Sequence, residues 1–184
     1  RFPGLEEADE RVAYVYDTLA KARRALAELG ALSPAVEADP NSVSPAVAGM
    51  LTAFFAALRD DLNTAAAVAC LSEPLRETNR LLEARKKSDA AARTATLQRF
   101  VADFPAISRV LGQFAADPEK YLLARRARKA ARLNLDVAAV ERLLAQRDEA
   151  RGKKDWKEAD RLRAELGSLG VTVRDGAEGS SWTL

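Results

Sequence analysis

Apolar side chains recur three and four residues apart in one segment after another of this 184-residue chain, and glycine or proline punctuates the runs. That period predicts helices. Ala, Leu, Arg, Glu and Lys dominate, while β-branched and aromatic residues are sparse, so sheets have little to build on. The expected fold class is mostly α: an antiparallel helical bundle, then a small two-helix domain with a short β-hairpin.

The first helix is predicted from about Glu6 to Leu29, with Val12, Val15, Leu19, Leu26 and Leu29 on one face and Gly30 as its stop. Residues 30–43 read as a loop. Ser44-Pro45 predicts an N-cap with proline at the first helical position, and Val47, Met50, Leu51, Phe54 and Leu58 form the next apolar stripe. A third stretch follows with Val68, Leu71, Leu75 and Leu82 inward; Pro74 predicts a kink or a restart capped by Ser72. A fourth begins near Ser88 and carries Leu97, Phe100, Val101 and Phe104. Pro105 is expected to break or bend it, with Ile107, Val110 and Leu111 before Gly112. Four helices at this spacing can bury one core, giving a first domain over residues 1–116.

Residues 117–134 change character. Lys120, Arg125, Arg126, Arg128, Lys129 and Arg132 occur without an intervening acid, which reads as a basic connecting helix or extended arm. The second domain spans 135–184. Asp136 is the expected N-cap of a helix with Val137, Val140, Leu143 and Leu144 inward. Asp155 and Glu158 have capping-box spacing for the last helix, whose core face is Leu162, Leu166 and Leu169, ending at Gly170. Val171-Thr172-Val173 alternates as a strand, Asp175-Gly176 and Gly179 mark a turn, and Ser180-Ser181-Trp182 is the returning strand.

Net charge is only +2, but it is unevenly spread: residues 1–119 hold 14 basic and 17 acidic side chains, residues 120–184 hold 15 and 10. A basic C-terminal part fits an anionic partner, and also fits a solvated helix. Histidine is absent, which removes Ser-His and Cys-His catalysis and the commonest zinc ligand. Cys70, the only cysteine, reads as a small buried apolar side chain. Asp60-Asp61-Leu62-Asn63-Thr64 is a helix start capped by Asn63 or Thr64, not a carboxylate or metal site. No run is long enough for a membrane span and no secretory signal opens the chain, so a cytoplasmic location is expected. The chain starts at Arg1 rather than Met, so a processed chain or a piece of a larger protein is expected.

Arg147 and Arg151 lie one helical turn apart and can face the same way, either toward a phosphate or base edge or toward acids on a solvated helix. Trp156 stands beside Lys153, Lys154 and Lys157. An aromatic among cations can stack an unpaired base while its phosphate is held; equally, it can fill the junction of helix and hairpin. Trp182 favours the core. Asp160 could accept from a base amino group or pair with Arg163 or Lys157, and Asp175 could do likewise or serve the turn.

The run Arg147-Asp148-Glu149-Ala150-Arg151-Gly152-Lys153-Lys154-Asp155-Trp156-Lys157-Glu158-Ala159-Asp160-Arg161-Leu162, with Gly170-Val171-Thr172-Val173-Arg174-Asp175-Gly176 and Gly179-Ser180-Ser181-Trp182, resembles the C-terminal end of bacterial cysteinyl-tRNA synthetases. Asp60-Asp61-Leu62-Asn63-Thr64-Ala65 is similar to that family's Asp-Asp-Phe-Asn-Thr-Pro stretch in its DALR-type bundle, with Leu62 for Phe and Ala65 for Pro. Family members often carry Arg or Lys after the last Trp, where Thr183-Leu184 stands here. The resemblance implies anticodon-binding roles for Arg151, Trp156, Asp160 and Asp175. By their charge, Arg147, Lys153, Lys154, Arg125 and Arg128 are candidates for RNA backbone contacts, and the 120–132 stretch equally fits an exposed helix that meets acids on another domain. The resemblance implies a cysteine-specific tRNA as partner, ATP and zinc in a catalytic part that precedes this chain and joins it in cis, and a monomer. The family's His-Ile-Gly-His, Lys-Met-Ser-Lys-Ser and zinc-ligand motifs are not in this sequence, so no cofactor and no catalysis are expected of these residues. A helical scaffold without an RNA role is the alternative, and a free-standing enzyme is disfavoured by the missing histidine.

Overall fold

The computed structural model describes residues 3–32, 42–84, 89–176 and 179–184. The start near Ser88, the middle of the 30–43 loop and the tip of the hairpin lie outside the described residues. The chain forms two compact units, Arg1–Leu122 and Leu123–Leu184.

The first unit holds α1 (Pro3–Glu28), α2 (Pro45–Ala48), α3 (Met50–Arg59), α4 (Thr64–Ala69), α5 (Ser72–Glu83) and α6 (Ala90–Leu111). Its core gathers Leu19, Leu26, Val47, Met50, Phe54, Leu71, Leu97, Phe100 and Ile107, all nearly solvent-free. The predicted second helix is two, because Gly49 separates α2 from α3. Ser44 takes the N-cap position with Pro45 after it, but its side chain makes no capping bond. Asn63 caps α4 by accepting from the Ala66 N–H. Pro74 sits in the first turn of α5, where its missing N–H is one the helix leaves unused, so the chain restarts there, with Leu71 rather than Ser72 at the cap position.

Pro105 does not break α6, which runs on to Gly112 in the left-handed conformation. Phe104 and Ile107 bury on either side of it while Pro105 itself is exposed, a place where water can replace the missing backbone bond.

α7 (Pro118–Arg132) is the predicted basic stretch, folded as a helix, and the division between units falls inside it. In the first unit, Tyr121 stacks on Tyr16 with ring centroids 3.8 Å apart.

The second unit contains the rest of α7, α8 (Val137–Gly152), α9 (Trp156–Ser168), β1 (Thr172–Gly176) and β2 (Gly179–Thr183). The strands pair antiparallel with Val173 opposite Trp182 and Asp175 opposite Ser180. Val140, Leu144, Leu166, Val171, Val173 and Trp182 form the core. Asp136 caps α8 through the Ala139 N–H, as expected. Asp155 caps α9 through the Glu158 N–H, but the reciprocal half of the capping box does not form: the Asp155 N–H bonds Ala150 O and the Glu158 carboxylate takes Arg161.

Five residues predicted inward are exposed: Leu29, Val68, Val110, Val137 and Leu169. Each lies in the first or last turn of a helix or just past it. The helical period continues there after the neighbouring element has ended. Cys70 is only half-buried for the same reason, since it is the C-cap of α4.

α8 and α9 are joined by a very tight connection. Lys154 N–H bonds Arg151 O at 3.0 Å and Asp155 N–H bonds Ala150 O at 2.9 Å, which closes α8 in a Schellman motif. Asp155 thus ends one helix and caps the next. The same motif closes α1 at Gly30, α7 at Asn134 and α9 at Gly170, but here the left-handed position (φ 61°) is held by Lys154. A Cβ at this φ is strained. Replacing Lys154 with Gly should stabilise the second unit by about 0.5–1 kcal/mol after the entropy of the unfolded glycine is subtracted. Urea unfolding with a higher midpoint and unchanged slope would confirm it; a lower midpoint would contradict it.

Candidate nucleic-acid interface

Two periodicities meet at one rim of the second unit. Along α8 the inward stripe runs Val140, Leu144, Arg147, Ala150 and passes from apolar to cationic. Along the hairpin, the face that buries Val173 and Trp182 continues, two residues on, into Asp175 and Ser180. A carboxylate on an inward strand face must find a partner, and α8 supplies one.

Arg147 is only 4% exposed. Its guanidinium forks onto Asp175, Nη1 donating to Oδ1 at 2.7 Å and Nη2 to Oδ2 at 3.1 Å. Nη1 also donates to Ser180 Oγ at 2.8 Å. The Ser180 hydroxyl donates to Asp148 Oδ1, and its N–H to Asp148 Oδ2 at 3.2 Å. Arg151, one turn beyond Arg147, donates from Nη1 to the same Asp175 Oδ1. Two guanidiniums and two carboxylates thus close a neutral knot between helix and hairpin. Gly179, beside Asp148, holds φ 120°, a conformation that a side chain would strain.

Arg147, expected as an RNA-backbone contact, is instead buried in this structure and bonded to Asp175 and Ser180. Arg147 and Arg151 do share a face, as their spacing predicts. Asp175 serves the hairpin end through its side chain while remaining 39% exposed. The hydrogen bonds from Arg147 hold its carboxyl down at about 2, with burial opposing and Ser180 and Arg151 assisting. Arg147 is pushed up in turn, first by Asp175, with smaller help from Asp148 and Asp160.

Trp156 opens α9 and is 60% exposed, so it is no core residue. Trp182 is, at 2% exposed; its Nε1 donates to Glu141 at 2.7 Å, and the Arg126 guanidinium lies 4.5 Å over its ring. Asp160 is exposed and makes no ion pair among the described residues. Lys153 is exposed but bonded to Glu149 at 2.6 Å, and Lys154 is exposed. In α7 the basic run is sorted by face: Arg125 is half-buried and Lys129 donates to Leu184 O at 3.3 Å, whereas Arg128 and Arg132 are exposed. The stripe Val140-Leu144-Arg147 and the alternation Val171-Val173-Asp175 bring opposite charges to one edge in the sequence, but no pattern there singles out Asp148, Ser180 or Glu141.

The cysteinyl-tRNA ligase anticodon-binding domain matches residues 137–182, the whole of this rim, and the DALR domain matches residues 53–115. This chain carries the DALR and anticodon-binding domains of the cysteinyl-tRNA ligase family. The cysteine–tRNA ligase of Desulfovibrio desulfuricans is 38% identical over 182 residues, 98% of this chain and 37% of that protein. That of Trichlorobacter lovleyi is 35% identical over 180 residues, with the same shares. The Coxiella burnetii ligase is 36% identical over 129 residues, 70% of this chain and 25% of its own length. The chain therefore spans little more than a third of the relatives it matches over nearly its full length.

Because the Asp175 carboxyl lies at about 2 in the folded chain against an ordinary 3.8, its ion pairs support the fold fully above roughly pH 4, and that support is lost as pH falls toward 2. Asp175→Asn should lower stability at neutral pH and flatten the decline between pH 4 and 2, measured by urea unfolding across that range. Parallel pH profiles for the two proteins would contradict the assignment.

Proposed function

We propose that this chain is the tRNA-recognising part of a cysteine–tRNA ligase, and that its second unit grips the anticodon loop of a cysteine-specific tRNA. The observation that carries this reading is Trp156: an exposed indole at a helix start, flanked by Lys153, Lys154 and Lys157, in a domain of an anticodon-binding family. A large aromatic left in water with cations around it is suited to stacking an unpaired base while the lysines neutralise its phosphate. Arg151 keeps Nη2 and Nε free of hydrogen bonds among the described residues, so it retains two parallel donors for a base edge or phosphate. Asp160 is an unpaired acceptor one turn beyond Trp156, suited to a base amino group. Asp175 keeps acceptor capacity on Oδ2 after taking one bond there from Arg147. Arg128, Lys153 and Lys154 lie open for salt-dependent backbone contacts; Arg125, half-buried, is the weaker candidate.

The parent protein would join cysteine to tRNA using ATP, in the cytoplasm and as a monomer, with its chemistry in a preceding part of the chain. These residues themselves do not fit a zinc site: there is no histidine, one cysteine, and no metal-holding group of His, Cys, Asp or Glu among the described residues. They supply selection rather than catalysis. No helix among the described residues is long and apolar enough to cross a membrane. A scaffold without an RNA role has no observation in its favour.

The test is binding to an anticodon stem-loop of a cysteine tRNA and to loops with altered anticodon bases. The intact loop should bind more tightly, and Trp156→Ala should weaken it by about 1–3 kcal/mol without unfolding the chain. Equal affinity for all loops, or an unchanged affinity in the variant, would refute the reading.

A further inference from the structure

We propose that Arg147 is a positioning residue for RNA reading: from inside the second unit it holds the Asp175 carboxylate, and through that carboxylate it fixes Arg151 at the rim. The proposal rests on the anticodon-loop reading above and adds a residue that touches no RNA.

The geometry supports it in three ways. Arg147 takes both Asp175 oxygens and so leaves Arg151 a share of only one, through Nη1. The outer donors of Arg151 are therefore not consumed by Asp175. Ser180 and Asp148 complete the hold: Arg147 donates to the Ser180 hydroxyl, which donates to Asp148 on the same turn of α8 as Arg147. This fixes the hairpin end against the helix at a point where strand pairing alone would set only the register.

A buried guanidinium is also an inefficient way to add stability. Its Nε is buried with no hydrogen-bond partner, and an apolar side chain of similar length would fill the space without that penalty. What Arg147 supplies that an apolar residue cannot is a fixed carboxylate position. Without its fork, Asp175 Oδ1 would still face Arg151 and the Ser180 hydroxyl, but Oδ2 would be open, and Arg151 would take both oxygens in a bidentate pair, withdrawing the donors that face solvent. Arg151 and Asp175 would remain in the sequence and in the fold, but they would satisfy each other rather than a ligand.

Two variants test this, Arg147→Met, which removes the charge, and Arg147→Lys, which keeps the charge and removes the fork. Each is checked for folding by circular dichroism and thermal melting. Dissociation constants are then measured for the cysteine-anticodon stem-loop and for loops with one anticodon base changed. In a folded variant the cognate loop should weaken by about tenfold while altered loops stay within about twofold of wild type, so that discrimination collapses. The side-chain Nε–H signal of Arg151 in a nitrogen-15 spectrum of the free protein should shift in both variants, because its partner has changed.

If discrimination survives in a folded variant, or if cognate and altered loops weaken equally, Arg147 is not a positioning residue. If neither variant folds, its role is structural and the proposal falls. Failure of wild type to discriminate among the loops is a separate result, which overturns the anticodon reading and the proposal together; the Arg151 signal, which needs no RNA, distinguishes that case from a failure of the positioning link alone.

Discussion

The rim of the second unit is organised by one buried contact, the fork of Arg147 on Asp175. Helix α8 repeats every 3.6 residues and the hairpin every two, and their apolar stripes run out at the same edge. Val140 and Leu144 meet Val173 and Trp182 in the core; one step further, Arg147 meets Asp175. Exchanging that pair for two apolar residues would extend the core, whereas removing one partner would leave the other charge buried or half-buried without compensation. Val173 and Trp182 set which face of the hairpin lies on α8, and the pair ties the hairpin end to that helix. Arg151 and Asp175 acquire their places at the surface as a consequence.

Most of the fold was legible in the sequence, because it is written in signals that act locally. Asp136 and Asp155 cap helices from a single side chain and the next turn, Gly30 and Gly170 stop helices by accepting a positive φ, and Val173 and Trp182 alternate into the core. What misled was the extension of a period beyond its neighbour. Val68, Val110 and Leu169 continue helical stripes but are exposed. Of the two outcomes expected at Pro105, the break does not occur, since tertiary packing by Phe104 and Ile107 carries α6 past a residue that disfavours it.

The candidate site was legible in part. Composition and spacing identify the cationic surroundings of Trp156 and the shared face of Arg147 and Arg151. They do not decide which of two arginines one turn apart is buried, because that depends on a carboxylate more than twenty positions away. Nor could pattern alone separate the two tryptophans. Trp182 is enclosed because its strand lies on α8, with Glu141 on its ring nitrogen and Arg126 over its face, whereas Trp156 stands exposed at a helix start. The basic run of α7 is likewise divided by folding: Arg126 and Lys129 are committed to the hairpin and the C-terminal residues, leaving Arg128 and Arg132 outward. A charge run in a sequence thus overstates the positive surface that a helix offers.

The two indoles provide the most direct measurement of the central claim, since each gives its own ring N–H signal in a nitrogen-15 spectrum. Adding a cysteine-anticodon stem-loop should move the Trp156 signal strongly and saturably, while the Trp182 signal, buried and bonded to Glu141, stays in place. A loop with altered anticodon bases should move Trp156 far less at the same concentration. A Trp156 signal that does not respond to the cognate loop, in a chain that remains folded, would contradict the account.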